Sequence, residues 1–252
     1  CESLTRIIIP SSVSSIGESA FHCCSSLTQI EIPPSVISIG KSAFARCKTL
    51  TQITIPASVI SIGDEAFDGC QLLSEIKIPS SVISIGFDIF SNCNNLRSID
   101  IDPLNPEYII IDRNFFSKNM ETIIRYHSKK KTTTYHIPPF LRTIGNYSFT
   151  NCNLLTEIII PSSVISIGDS AFSSCRSLSR IAIPSSVTSI GNSAFSSCSS
   201  LAQITIPSSV TSIVSYVFYK CSSLTQITIP SSVTSIGNGA FDNGSSLTQI
   251  TI

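Results

Sequence analysis

Ten cysteines and three histidines are the side chains best suited to chemistry here, and their placement limits what they can do. Nine of the cysteines, Cys1, Cys24, Cys47, Cys70, Cys93, Cys152, Cys175, Cys198 and Cys221, share one register of a 23-residue repeat; only Cys23 falls outside it. A disulfide or a metal centre needs cysteines that converge in pairs or tetrads. A column with one thiol per rung projects its side chains in parallel, and Gly244 takes the same place in the last repeat. Buried free thiols acting as small apolar groups are therefore expected, with no metal and no cofactor. His22 is remote in the array from His127 and His136, and no G-x-S-x-G elbow, P-loop, H-E-x-x-H or paired C-x-x-C occurs. Abundant Ser and Cys in identical settings are the wrong signature for a nucleophile that needs one dedicated base. The sequence predicts a chain that is not an enzyme.

Charge narrows the partners. Sixteen basic and sixteen acidic residues cancel, and charged residues make up 13% of the chain, against about 25% in ordinary soluble domains. Such a surface lacks the positive footprint that nucleic acid requires, and Lys129-Lys130-Lys131 reads as a solvated loop tip. No apolar run reaches the ~18 residues of a membrane span. The chain opens on "CESLTR", the tail of one repeat, and stops on "LTQITI", the start of another. It reads as a piece of a longer array, with any signal or anchor lying outside it, and its open apolar ends predict end-to-end self-association.

The elements that position these residues follow from the repeat. Leu4, Leu27, Leu50, Leu73 and Leu96 recur every 23 residues, as do Leu155, Leu178, Leu201, Leu224 and Leu247. With that Leu as position 1, Ile falls at 4 and 6, Pro at 7, Val at 10, Ile at 13, Gly at 14, Phe at 18 and Cys at 21. "LTQITI" is rich in Thr and Ile and predicts a strand, which Pro terminates. "VTSI" predicts a second extended piece. The Gly at position 14 is expected to supply a corner with positive φ, and Asp64, Asp169, Asn192 and Asn238 after it to cap a short helical turn. One strand and one turn cannot bury their own apolar faces, so the rungs must stack as an α/β repeat solenoid. Phe21, Phe44, Phe67 and Phe90, and later Phe149, Phe172, Phe195, Phe218 and Phe241, would stack inside it.

The pattern L-x-x-I-x-I-P-x-S-V-x-S-I-G-x-x-A-F-x-x-C resembles the Treponema-type leucine-rich repeats of the BspA-like family over nearly the whole chain. Its central element, with Asn105-Pro106, Tyr108, Asp112 and Phe116, is similar to that family's irregular segment. The resemblance implies a right-handed leucine-rich-repeat superhelix with parallel strands on its concave face. It also implies a surface protein of bacteria or parasitic protists that binds host or partner molecules, often in adhesion. Arg113 and Asn114 depart from the family's Gly after Asp112, and Val214 replaces the corner Gly of one rung, where a reshaped corner is expected.

A single solenoid over 1–252 is expected, with regular repeats at 1–101, an irregular element at 102–131 and regular repeats at 132–252. In a regular array, selectivity must come from departures on an accessible face. Strand positions 3 and 5 point outward. They form a uniform Gln/Thr stripe from Gln203 onward but vary earlier, which singles out Glu31, Glu75, Lys77, Ser98 and Asp100. The irregular element adds Tyr108, Arg113, Tyr126 and His127, residue types common at protein interfaces. An ordered-water stripe for ice binding is disfavoured by the Gln and charged interruptions. The expected function is binding of a protein or glycan ligand at a cell surface, with host cells or extracellular matrix as partners. An intracellular interaction scaffold is the alternative.

Overall fold

Polar residues and isoleucine alternate in "LTQITI" so that every second residue, the isoleucine, faces inward, and in most rungs this segment is an extended strand lying parallel to its neighbours. The computed structural model describes residues 1–112, 114–126 and 132–251, in two compact units, Cys1–Lys118 and Asn119–Ile252. The first unit carries a five-stranded parallel sheet of Arg6–Ile8, Gln29–Glu31, Gln52–Thr54, Glu75–Ile78 and Ser98–Ile101. Register partners such as Arg6 and Gln29 are one repeat apart. A second parallel ladder joins Ser15–Ile16, Ser38–Ile39, Ser61–Ile62 and Ser84–Ile85. In the second unit, Thr134–His136, Glu157–Ile159 and Arg180–Ala182 form the equivalent first ladder.

Proline ends each strand as its chemistry requires. It has no N–H to donate onward, and its carbonyl accepts the valine N–H three residues later, as from Val13 to Pro10 and Val36 to Pro33, both at 3.0 Å. In most regular rungs the serine before the valine then clips the rungs together: Ser58 Oγ donates to Val36 O and Ser81 Oγ to Val59 O, each at 2.7 Å.

The side opposite the strands corrects three expectations. No helix occurs among the described residues; the "SAFSSC" segments are stacked turns, so each unit is a β-solenoid rather than an α/β one. The physical reason is that two residues per rung have positive φ, such as Ser42 at 51° and Arg46 at 61°, which no α-helix tolerates. Alternate N–H groups therefore bond to the next rung, for example Phe44 N to Ala66 O at 2.8 Å. The Asx residues after the corner glycine are not helix caps either. Asp64 Oδ1 accepts the Phe87 N–H at 3.1 Å and Asp169 Oδ1 accepts that of Asn192 at 2.7 Å, so they tie successive corners. Nor does the corner glycine provide positive φ, which is found only at Gly69 and Gly239 among the described glycines. It is required for close approach: a Cβ on Gly40 would stand 2.7 Å from the backbone of Gly17 and Glu18, and one on Gly191 2.4 Å from Asp169 N.

The phenylalanines stack as expected within each unit. Phe21, Phe44, Phe67 and Phe90 follow one another with centroids 5.3, 5.6 and 5.9 Å apart and nearly parallel rings. Phe149, Phe172, Phe195, Phe218 and Phe241 do so at 5.3 to 5.8 Å.

The cysteine column is a row of thiol donors as well as packing groups. Cys47, Cys70, Cys93, Cys175, Cys198 and Cys221 each donate to the carbonyl of the phenylalanine one rung back, at 2.9 to 3.3 Å. All ten thiols are free. Burial pushes the Cys47 thiol from its usual 9.0 up to about 12 and does the same to Cys221, while Cys70 and Cys198 also rise. The sign follows directly: the native state holds these protons more tightly than the unfolded chain. Their contribution to stability is thus full below pH 9 and is lost as pH climbs from 9.0 to about 12. Alkylation at pH 8 is expected to label exposed Cys1 and partly exposed Cys23 and Cys93 first, and buried Cys24, Cys47, Cys70, Cys152, Cys175, Cys198 and Cys221 only after denaturant is added; mass spectrometry of quenched time points would show it.

Candidate ligand-binding face

Position 4 of every strand faces the core, so positions 3 and 5 form an open stripe. In the first unit every residue of this stripe is exposed: Arg6 and Ile8, Gln29 and Glu31, Gln52 and Thr54, Glu75 and Lys77, Ser98 and Asp100. The sheet register brings Glu75 level with Ser98, and Lys77 level with Asp100. Lys77 Nζ lies 3.8 Å from Asp100 Oδ2 with the side chains 74% and 63% exposed. A pair that open contributes about 0–1 kcal/mol to stability, so both charges are available to a partner.

Two open cavities lie along this face. One of about 550 Å³ is bordered by Gln52, Thr54, Glu75, Lys77, Asp100 and Asp102. The other, of about 900 Å³, is bordered by Arg6, Ile8, Gln29, Glu31, Pro33 and Thr54. They share Gln52 and Thr54 and so adjoin, and between them they touch residues of all five strands. Glu31, Glu75, Asp100 and Asp102 oppose Arg6 and Lys77 there, four carboxylates to two cations. The chain as a whole is neutral.

The structure thus gathers Glu75, Lys77, Ser98 and Asp100 at one cavity and places Glu31 at the adjoining one. The irregular element behaves differently. The half-buried Tyr108 hydroxyl accepts the Ile85 N–H at 3.0 Å and donates to Ile83 O at 3.4 Å, standing in for the missing next strand of the second ladder. Burial raises its pKa above the usual phenol value. Tyr126 is a correction: it is 4% exposed and stacks on Phe149 at 5.1 Å, so it belongs to the core. The signal was present, because Tyr126 precedes Phe149 by one full repeat and so occupies the phenylalanine register. Arg113 and His127 lie outside the described residues. One member of the face is not marked out individually by the stripe: Asp102 fills the slot that Pro holds in the regular rungs, a departure that marks it. Ile8, already one of the variable outward positions, is 77% exposed where the next four rungs carry Glu, Thr, Lys and Asp.

No group of three or more His, Cys, Asp or Glu suited to a metal ion occurs among the described residues. His22 Nε2 lies 3.8 Å from Cys23 Sγ on the exposed turn side, longer than a nucleophile–base hydrogen bond. No helix among the described residues is long and apolar enough to cross a membrane.

Comparison with known proteins fits this architecture. A profile of the BspA type Leucine rich repeat region matches in six copies over residues 1–123 and 122–248. The chain belongs to the BspA-type leucine-rich-repeat family. The BspA-type chain is similar to a leucine rich cell surface protein from Faecalibacterium prausnitzii, with 34% identity and a TM-score of 0.79 over 100% of this chain and 73% of that one. A leucine-rich repeat protein from Eubacterium ventriosum is similar at 26% identity and a TM-score of 0.69, over 97% of this chain and 84% of that one. The pneumococcal vaccine antigen PcpA shares the fold, at 24% identity and a TM-score of 0.64 over 98% of this chain and 61% of that one. No curated protein matches the chain significantly.

Proposed function

We propose that the strand face of Cys1–Lys118 is the recognition surface of a cell-surface adhesion module that takes a protein or glycan partner without chemical turnover. The observation that carries this reading is that the two adjoining cavities are bordered by Glu31, Glu75, Lys77 and Asp100, outward residues that depart from the Gln/Thr stripe. A rigid, pre-ordered sheet loses little conformational entropy on binding, so modest contacts suffice. The balance of four carboxylates to two cations favours a partner patch that is basic on average. The relative named as a cell surface protein supports the location.

The test is binding of the purified chain to immobilised extracellular-matrix proteins and host cells, beside a variant carrying Glu31→Gln, Glu75→Gln and Asp100→Gln. All three side chains are exposed, so the substitutions are expected to leave the fold intact. Saturable binding weakened at least about tenfold, equivalent to about 1.4 kcal/mol, is the expected outcome. Binding unchanged in the variant would remove the strand face as the site, and no binding by either protein to any surface would count against adhesion.

A further inference from the structure

One junction in the second unit is bonded unlike its neighbours. In the regular rungs three sets of backbone bonds join each turn of chain to the one before. Ser179 N bonds Thr156 O at 2.9 Å beside the first strand; Thr188 N bonds Ile165 O at 2.9 Å and Gly191 N bonds Ile167 O at 2.8 Å along the second ladder; the stacked turns supply the third set. The next rung, which begins at Leu201, has no counterpart of the first two sets toward the rung before it among the described residues. Residues 203–205 pair with nothing on that side, and the second ladder stops at Ser189–Ile190 and restarts at Ser212–Ile213. The turn stack is unbroken: Ser193 N bonds Ser215 O at 3.0 Å, Phe195 N bonds Val217 O at 3.0 Å and Ser197 N bonds Tyr219 O at 2.6 Å. Ser209 Oγ to Val187 O and Cys221 Sγ to Phe195 O also remain.

Val214 accounts for this pattern. It occupies the corner slot that glycine fills in the adjoining rungs, where a Cβ would stand 2.4 Å from the preceding backbone at Gly191 and 2.5 Å at Gly237. A valine in that slot cannot be accommodated by a side-chain shift, because the obstruction is backbone. The rung must back away on its strand side. It stays attached to the rung that follows, through Gly237 N to Ile213 O at 2.6 Å, Thr234 N to Thr211 O at 2.9 Å and Tyr216 N to Asn238 O at 2.9 Å. The Tyr216 ring also lies over Gly239, where a Cβ would come within 2.5 Å of it.

We infer that Val214 is a wedge that builds a hinge into the array: the rungs from Leu201 onward open and close as a block on the strand side, about the turn stack at 193–197 and 215–219 as axis. The device lets the strand face change its local spacing at one place without breaking the core column, since Phe195 and Phe218 remain stacked at 5.8 Å.

Residue-resolved amide exchange tests it. In the unmodified chain the Ala202, Thr211 and Val214 amides are expected to exchange at least about 100-fold faster than Ser179, Thr188 and Gly191, while Ser193, Phe195 and Ser197 stay protected. Val214→Gly should slow the three fast amides by at least about tenfold, and Gly168→Val should transplant fast exchange to Thr156, Ile165 and Gly168. Slow exchange at Ala202, Thr211 and Val214 in the unmodified chain would overturn the inference on its own. So would equally fast exchange at the turn-stack amides, which would mean that the whole junction unfolds, or unchanged rates in Val214→Gly.

Discussion

Truncating Phe172 to alanine is expected to lower the stability of the second unit by about 3–5 kcal/mol, the usual cost of an unfilled cavity left by a buried aromatic. The ring is fully buried and lies between Phe149 and Phe195, with centroids 5.3 Å away on either side. Removing it therefore severs two stacking contacts as well as opening a void. The neighbours cannot collapse into the gap, because their backbones are fixed by bonds from Phe149 N to Ala171 O and from Phe172 N to Ala194 O, both at 2.8 Å. Phe241→Ala supplies the control: its ring is only partly buried and stacks on Phe218. Urea titrations of both variants should show a much larger midpoint shift for Phe172→Ala. Equal shifts would mean that the column is a set of independent contacts rather than one packed row.

The sequence exposed the repeat, the strands, the proline stops and the aromatic and thiol columns because each is a local preference enforced again by the next rung. What it concealed were features that exist only between rungs. "SAFSSC" reads as a helical turn within one repeat, yet its N–H groups find better partners one rung away, as Ser42 N does at Asp64 O. The corner glycine reads as a flexible residue, and only the stack shows that the lost Cβ is what matters. The candidate face was half legible. Glu75, Lys77, Ser98 and Asp100 follow from period-two alternation, which places them together at one cavity. Tyr126 was misplaced because chemical type outweighed register, and register was the better guide: a residue one repeat from Phe149 belongs to the column.

The same lesson yields a prediction against consensus. Asn105 sits where regular rungs carry valine, one repeat after Val82, and is completely buried. Its Nδ2 donates to Pro79 O at 3.1 Å and Val82 O at 2.8 Å, and its Oδ1 accepts the N–H groups of Glu107 and Tyr108, both at 2.9 Å. In regular rungs the valine carbonyl is taken by a serine hydroxyl from the next rung, as Val59 O is by Ser81. Here one side chain does that and also turns the chain into Tyr108–Ile111, whose Tyr108 hydroxyl closes the second ladder at Ile85. Asn105→Val restores the repeat and puts an apolar side chain in a slot that valine fills in the regular rungs, so a packing argument alone predicts a neutral or stabilising change. The hydrogen-bond argument predicts a loss of about 3 kcal/mol, since each buried group left unpaired costs about 1–3 kcal/mol and only some can reach water. Thermal unfolding decides between them, and amide exchange at Glu107 and Tyr108 locates the effect. A lower melting temperature with both amides released shows that the asparagine holds the irregular element in place. An unchanged melting temperature would mean that the antiparallel pair formed with Asn114–Ser117 is sufficient by itself.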